Sequence, residues 1–446
     1  MENKQKFGSL DMNEQELKME LATFADGSRI VPRIAVQPGK KYIVWKDNGD
    51  TSNIDYPTKI LEMYNNSSLH HSIIDMKAEQ IAAGGLELVD ENDPKASKTL
   101  EFLTKENAYG IDCNEINKRI ALDLTLFNGF SVQTIYSKDW KTIDSLQHAE
   151  FNKVRVQTPD ENGNMYGFFY AFDWSLYRPS RIQFIPKYNQ DTASMNRKEY
   201  DALTEKIMVE NKAEDVSKLK NFIASGNTQL FYYKKYQPNS FYYPICDYVA
   251  VIPSIEIDIQ SDIYACASLK NGMDNGISIT ILGDSSDPES QKSAKRILKS
   301  YAGARNAGKP FIIFAEDFET APQIKDIGSS NSLAQKYKTI NESTQQKIIS
   351  GHRVPNSSML GIQVAGKLGI TNEMAQSEEI FYTKYIKPRQ EILESFWNKI
   401  MRYNDLAEVR IKNVNVFNQQ AIDSKQAGVE VDSAATPDNT QIPNNQ

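Results

Sequence analysis

One long amphipathic helix limits the possible folds of this chain more than any other segment. A turn that begins at Pro244 precedes the helix, and its pattern runs from Ser254 until Asn271-Gly272 ends it. Asp258 and Asp262, four residues apart, share one face of this helix. The sequence therefore predicts a helix with a second, apolar face that packs in a core. That apolar face is formed by Ile255, Ile259, Ile263 and Cys266.

A second long helix is predicted from about Ser332 to Ser350, with Gly351 as its C-cap. The residues 354–370 that follow contain three glycines and no regular period, which indicates a loop. The apolar stripe of the second helix consists of Leu333, Tyr337, Ile340, Thr344 and Ile348.

A third helical pattern extends from about Asn372 to Tyr403 and contains Pro388. Proline removes a backbone hydrogen bond and costs ~3 kcal/mol in a helix interior. Because the helical pattern continues on both sides of Pro388, we expect one kinked helix rather than two separate helices.

The rest of the chain mixes helices and strands, so the predicted fold class is α+β. Ser67 or Ser68 can cap an early helix that Gly84-Gly85 ends, and two more helices are predicted at 100–109 and 114–128. Lys187 to Asn221 is polar and is interpreted as a surface insertion. Strands are predicted at 130–136, 151–157, 165–174, 229–236 and 311–314, and a short helix at 288–302.

Composition excludes several classes of protein. The chain has 446 residues, which favours more than one substructure, and a net charge of −7, which argues against a protein that reads duplex DNA directly. Its three cysteines are widely spaced and predict buried thiols rather than a disulfide framework or a zinc site. We find no apolar run of membrane-spanning length and no secretory signal, so we expect a soluble protein made in a cytoplasm, without a membrane partner.

A near match to a phosphate-binding loop does not predict an ATP site. Residues 303–310 read Gly-Ala-Arg-Asn-Ala-Gly-Lys-Pro, and Pro310 stands where that motif needs a hydroxyl for Mg²⁺ and a backbone N–H for phosphate. The predicted order is also helix then strand, the reverse of the order that such a loop requires. We interpret this segment as a turn before a strand.

The histidines predict no metal or acid–base site. His70 and His71 point to different faces of one helix and lack a third ligand nearby in the sequence, and His148 is isolated. His352 follows the end of the second long helix, where an imidazolium would suit the helix dipole. Because no catalytic set emerges, we expect neither an enzyme nor a cofactor.

Three segments, taken in order, resemble the portal protein of tailed bacteriophages. The first is the early helix with its glycine turn, over 67–88. The second is Pro244 to Gly272, with Asn306-Ala-Gly-Lys309 behind it. The third is Gly351-His-Arg-Val-Pro355 with the glycine loop and the kinked helix.

The resemblance implies a portal-type fold with seven parts. They are a flexible arm (1–28), an α/β wing (29–244), a first stem helix (245–272), a small α/β clip (273–328), a second stem helix (329–352), a tunnel loop with a kinked wing helix (353–403), and a short crown with a disordered tail (404–446). It also implies a ring of about twelve copies of the chain.

The implied function is to form the DNA channel at one capsid vertex of a virion made in a bacterial host cytoplasm. The implied partners are the major capsid protein, the terminase large subunit during packaging, neck or adaptor proteins afterwards, and double-stranded DNA that slides through. A channel must not hold its DNA, because each phosphate contact adds affinity. The candidate channel-lining residues are Asp258, Asp262, Gln363 and Lys367. The two aspartates would form an acidic face that repels DNA, and Lys367 would make a sparse, transient contact with phosphate.

Two questions stay open at this point. Asp258 and Asp262 also fit an ordinary solvated or ion-paired helix face, and Lys367 an ordinary exposed lysine. The clip segment has a basic helix face, formed by Lys292, Lys295, Arg296 and Lys299, which Arg305 and Lys309 follow. These residues are either solvated or a docking surface for the terminase or an adaptor. The alternative functions are another ring-forming neck or adaptor component, or a packaging enzyme subunit, which would need an intact phosphate loop or an acidic metal cluster.

Overall fold

The structure is a computed structural model. It describes residues 32–35, 41–47, 55–159, 163, 165–174, 182–189, 227–238, 240–271, 278–282, 311–315, 330–361 and 371–413. The predicted arm, almost all of the predicted insertion at 187–221, the predicted helix at 288–302 and the tail beyond residue 413 lie outside the described residues.

The described helices agree with the predicted ones in kind and differ at their ends. The helix predicted at 100–109 occupies 96–104, four residues earlier at its start. The helices are α1 (Tyr56–Asn66), α2 (Ser68–Ala82), α3 (Ala96–Thr104), α4 (Cys113–Phe127), α5 (Ile252–Asn271), α6 (Ser330–Gly351), α7 (Thr371–Phe381) and α8 (Lys387–Tyr403).

Local chemistry sets the first helix boundaries. Asp55 caps α1, since its carboxylate accepts from the Thr58 backbone N–H at 3.1 Å. Ser67 caps α2 in the same way by accepting from the His70 N–H at 3.3 Å, which confirms the predicted cap. After α2, Gly85 adopts a positive φ of 87°, a conformation that glycine takes without steric cost.

The described strands form small sheets, nearly all antiparallel. The strand order is β5-β4-β9 in one sheet and β6-β7-β8 in another, while β1 pairs with β2 and β3 with β12. β10 and β11 pair in parallel. The strands are β1 (Pro32–Ala35), β2 (Val44–Asp47), β3 (Leu86–Leu88), β4 (Gly129–Tyr136), β5 (Ile143–His148), β6 (Val154–Val156), β7 (Gly167–Ala171), β8 (Ile182–Pro186), β9 (Thr228–Lys234), β10 (Ser278–Leu282), β11 (Phe311–Ala315) and β12 (Val409–Ile411).

Strand β12 is an element that the sequence did not predict. It pairs with β3, so that Val409 lies opposite Leu88 and Ile411 opposite Leu86. Alternating burial along three residues is too short a pattern to distinguish a strand from a loop. Because β3 follows α2, this pairing places the segment after α8 beside the end of α2.

Two large apolar cores hold the body together. The first joins α4 and the β4 sheet to α8, with Trp397 and Phe396 fully buried in it. The second joins α1 and α2 to the start of α5 and the end of α6, through residues such as Ile252, Ile255 and Ile348. The two long helices α5 and α6 are therefore anchored in the same core as the early helices.

Gly351 is the last residue of α6 and lies directly against Val251, at the entry to α5. It was predicted as a C-cap outside the helix, and the structure instead gives it the role of a close contact. A Cβ on Gly351 would overlap with the side chain of Val251. Because the end of α6 meets the start of α5, and the two helices pack against each other, they form a helical hairpin.

We expect Gly351→Ala to destabilise the hairpin. Alanine favours a helix by about 0.5–1 kcal/mol over glycine, but overpacking of a close contact costs about 1–3 kcal/mol, so the net effect is a loss of stability. Thermal and urea unfolding will measure it. The matched control is Ser350→Ala at the exposed neighbouring position, which should change stability by less than about 0.5 kcal/mol.

The third long helix continues across Pro388 with a π-helical turn at Tyr382–Ile386, between α7 and α8. A π turn widens the backbone locally and is a recognised cause of helix kinks. The π turn lies just before Pro388. Since proline has no backbone N–H, the carbonyl of Lys384 lacks the helical hydrogen bond that residue 388 would otherwise donate. The predicted continuity of the helix on both sides of Pro388 is present.

Candidate functional site

Asp258 is the first predicted channel residue, and it contacts the body of the protein. It lies half-buried on α5, and its carboxylate accepts a hydrogen bond from the Ser67 hydroxyl at 2.7 Å. Ser67 is also the cap of α2, so Asp258 links the first long helix to the start of that helix.

Asp262 lies one turn further along α5 and is exposed. Partial desolvation, together with the negative charge of Asp258, raises the pKa of its carboxyl above the ordinary value. The two carboxylates therefore act on one another on one face of α5, as their spacing predicts.

The other predicted channel residues and the predicted docking residues lie outside the described residues. Gln363 and Lys367 fall in the gap at 362–370, between the loop start and α7. The six basic residues of the clip segment fall in the gaps at 283–310; they are Lys292, Lys295, Arg296, Lys299, Arg305 and Lys309. Their roles stay predictions.

A buried ion pair below the stem helices was not predicted. Asp247, just before α5, accepts from the guanidinium of Arg389 at 2.5 Å and from the hydroxyl of Tyr385 at 3.1 Å. The Arg389 guanidinium also stacks on the Tyr385 ring, 3.5 Å from its centroid. Burial alone would raise the pKa of Asp247, but the charges of Lys77 and Arg389 and the Tyr385 hydrogen bond hold it below the ordinary value.

A chain of three buried polar groups lies beside this ion pair. The Lys77 ammonium is 3.2 Å from Nδ1 of His352, and Nε2 of His352 is 2.9 Å from Nδ1 of His70. Lys77 also lies over the Tyr385 ring, 4.2 Å from its centroid. We call this set the His70–His352–Lys77 relay. It connects α2, which carries His70 and Lys77, with the end of α6, because His352 is the residue that follows that helix.

Burial controls the protonation of the relay. It lowers the pKa of Lys77 to about 7, opposed by Asp247, and the pKa of His70 to about 3, assisted by the charges of Lys77 and His71. Burial and Lys77 likewise hold the pKa of His352 well below 6.5. An imidazolium at His352 would suit the helix dipole, but desolvation and the charge of Lys77 favour the neutral ring.

These contacts were missed because they join residues far apart in the sequence. His70 and His352 are 282 positions apart, and Asp247 and Arg389 are 142 apart. One local signal was present: Lys77 interrupts the apolar face of α2 formed by Ile73, Ile74 and Ile81, where a buried lysine needs partners.

The described residues do not present a metal centre. No group of three or more His, Cys, Asp or Glu side chains in that part of the chain is placed to hold an ion. Within the same residues, no helix is long and apolar enough to cross a membrane. The Asp247–Arg389 ion pair and the His70–His352–Lys77 relay hold helices together by charge and packing.

Comparison with known proteins identifies the fold. A chain in the neck of the empty gene transfer agent (GTA) particle, computed with C6 symmetry, matches with a TM-score of 0.52 and 14% identity, over 86% of this chain and 92% of that one. The virion of the native GTA particle contains a match with a TM-score of 0.50 and 14% identity over the same shares. The neck of the native particle, computed with C12 symmetry, gives a TM-score of 0.50 and 14% identity over 85% and 90%.

The chain shares its fold with a component of these particles. The resemblance to a component of a particle neck is thereby confirmed at the level of the fold, which is a mixture of helices and small open sheets. No protein-family model matches the chain. No curated protein matches it either. At 14% identity, the similarity to these chains is one of fold.

Proposed function

We propose that this chain is a portal protein, one subunit of a closed ring of about twelve copies that forms the DNA channel at one vertex of a virion. The observation that carries the proposal is the shared fold with a chain in particle necks over most of both chains, one of them computed with C12 symmetry. In this role the chain is made in the bacterial host cytoplasm and nucleates capsid assembly with the major capsid protein. It docks the terminase large subunit during packaging and neck or adaptor proteins afterwards.

The helical hairpin supports this role. Helices α5 and α6 pack against each other, their free ends lead into residues 273–328, and their other ends meet at Val251 and Gly351 in a buried core. A stem of this kind projects a separate segment away from the body. In the proposal that segment is the clip, and its six basic residues meet the acidic surface of a docking partner.

The channel proposal places Asp258 and Asp262 on its wall. Negative charge there repels phosphates and keeps DNA mobile, while Gln363 and Lys367 in the loop make weak, transient contacts. The chain performs no reaction itself in this proposal; the motor that docks on it hydrolyses ATP.

Mass photometry and negative-stain imaging of the purified chain test the proposal. A ring of about a dozen copies with a central hole supports it. A compact monomer whose melting temperature rises with added nucleotide would overturn it in favour of a packaging enzyme. A smaller closed ring that does not bind terminase but binds tail components would favour the adaptor alternative.

Exposed apolar residues on α5 predict where neighbouring copies meet. Leu269 is 83% exposed and Ile257 44% exposed, and a neighbouring subunit that covered these side chains would gain the free energy of burying them. We expect Leu269→Ser to leave the melting temperature of the dissociated chain unchanged and to reduce the fraction of rings at a fixed concentration several-fold. The control is Lys270→Ser at the next, exposed position, which should leave ring formation unchanged.

A further inference from the structure

The His70–His352–Lys77 relay is a fully buried polar cluster that the proposed channel does not use. The side chains of His70 and Lys77 are 0% exposed and that of His352 is 1% exposed. Both imidazoles also contact Tyr248, with ring centroids 4.8 Å away in each case. The relay is the polar link between the end of α6 and α2.

Hydrogen-bond direction fixes the proton positions in the relay. The charged Lys77 ammonium, the form that prevails below its pKa of about 7, only donates, so it requires Nδ1 of His352 to accept. The proton of neutral His352 is then on Nε2 and is donated to Nδ1 of His70, which must accept in turn. Each imidazole thus has one accepting nitrogen, and the relay is complete only while both are neutral.

A proton added to either ring breaks the relay. On His352 it would place an N–H against the Lys77 ammonium, and on His70 it would place an N–H against the donating Nε2 of His352. Two donors that face each other in a buried site lose a hydrogen bond and add charge repulsion. The remaining nitrogen of His70, Nε2, has no hydrogen-bond partner among the described residues, so it cannot compensate.

The surrounding charges reinforce this response. Among the described residues, the carboxylate that acts electrostatically on the relay is that of Asp247, and Arg389 and Tyr385 already bind it. The charged and titratable groups that act on the relay or on Asp247 are His71 on α2, Asp247 and Tyr248 before α5, Arg353 after α6, and Tyr385 and Arg389 on the kinked helix. Most of them are cationic or neutral, and an added proton meets net repulsion.

We propose that the relay is a pH-operated latch: protonation of its imidazoles in mild acid releases the end of α6 and the segment from Arg353 onward from α2, while the rest of the body stays folded. Arg353 has a positive φ of 59°, so the backbone already changes direction at the latch. The described part of the released segment covers residues 353–361. The inference rests on the contacts of the chain and does not depend on ring formation.

The sign of the pH effect follows from the lowered pKa of each imidazole. In the released state the histidines contact water and regain an ordinary pKa of about 6.5. Release therefore takes up protons, so the latch is stable above pH 6.5 and weakens as the pH falls from 6.5 towards 3. Between pH 7.5 and pH 5.0, each imidazole that becomes protonated on release increases the opening constant about 30-fold. Lys77, whose pKa is also lowered, acts in the same direction.

Hydrogen–deuterium exchange of the full chain at pH 7.5, 6.0 and 5.0, corrected for the intrinsic exchange rate, tests the latch. We expect amides in 345–361 to open at least 30-fold more often at pH 5.0 than at pH 7.5. Amides of α4 at 113–127 should keep their protection. Unchanged protection of 345–361 overturns the proposal, and so does an equal rise in 113–127, because that result means global unfolding.

Two variants sharpen the test. His352→Gln keeps a neutral polar side chain and should reduce the pH dependence of 345–361 by about 30-fold, the contribution of one imidazole. His148→Gln is the matched control, because His148 pairs with Asp123 at 2.7 Å elsewhere in the body. It should leave the pH response of 345–361 as in the wild type. If both variants respond alike, the latch is wrong. Should His352→Gln fail to fold, the wild-type titration still decides between local and global opening.

Discussion

Replacement of Asp247 by alanine is expected to destabilise the chain by about 3–5 kcal/mol, because it leaves a buried guanidinium without its carboxylate. The side chains of Arg389 and Asp247 are 6% and 9% exposed, so water cannot substitute for the lost partner. The Tyr385 hydroxyl loses its acceptor as well. Urea unfolding followed by circular dichroism, at a fixed subunit concentration, measures the change in the free energy of unfolding.

The control for Asp247→Ala is Asp144→Ala. Asp144 pairs with Lys105 at 2.8 Å, but the two side chains are 60% and 51% exposed. Exposed ion pairs contribute about 0–1 kcal/mol, so the control should unfold almost as the wild type does. Equal losses in the free energy of unfolding for the two substitutions would mean that the Asp247–Arg389 pair does not stabilise the packing of the kinked helix.

The order of elements was predictable from the sequence where a pattern is long. The 20-residue helix α5 and the 22-residue helix α6 have repeating apolar faces, and both were predicted within two residues at each end. The Ser67 cap and the continuity across Pro388 follow from the chemistry of single residues and were also predicted.

The buried contacts were not predictable, since they depend on how distant elements pack. Lys77 is unusual on an apolar helix face, but no local sequence pattern predicts that His352 and Asp247 lie close to it. The three-residue strand β12 carries too few residues for a period. Likewise, the contact of Gly351 with Val251 depends on the crossing of two helices, and a C-terminal glycine ordinarily indicates a cap.

Trp397→Ala is expected to produce the other large loss of stability, because Trp397 lies at the centre of the core that joins α8 to α4. The residue is fully buried, and its indole N–H donates to the side-chain oxygen of Asn117 at 2.9 Å. Removal of a buried tryptophan leaves a cavity and costs about 3–5 kcal/mol. Trp397→Phe keeps much of the volume but leaves Asn117 without this donor, for a smaller loss of about 1–3 kcal/mol.

The same unfolding experiment separates these contributions. Tyr109→Ala serves as the control, because Tyr109 is a large aromatic residue that is 70% exposed and its removal should change stability by less than about 0.5 kcal/mol. A loss below 1 kcal/mol for Trp397→Ala would mean that α8 does not pack on α4 as described. Helix α8 also positions strand β12, because the Asn398 side chain on this helix bonds to the backbone N–H and C=O of Val409, both at 2.8 Å. Exchange protection of β12 should then fall together with global stability, since one core supports both elements.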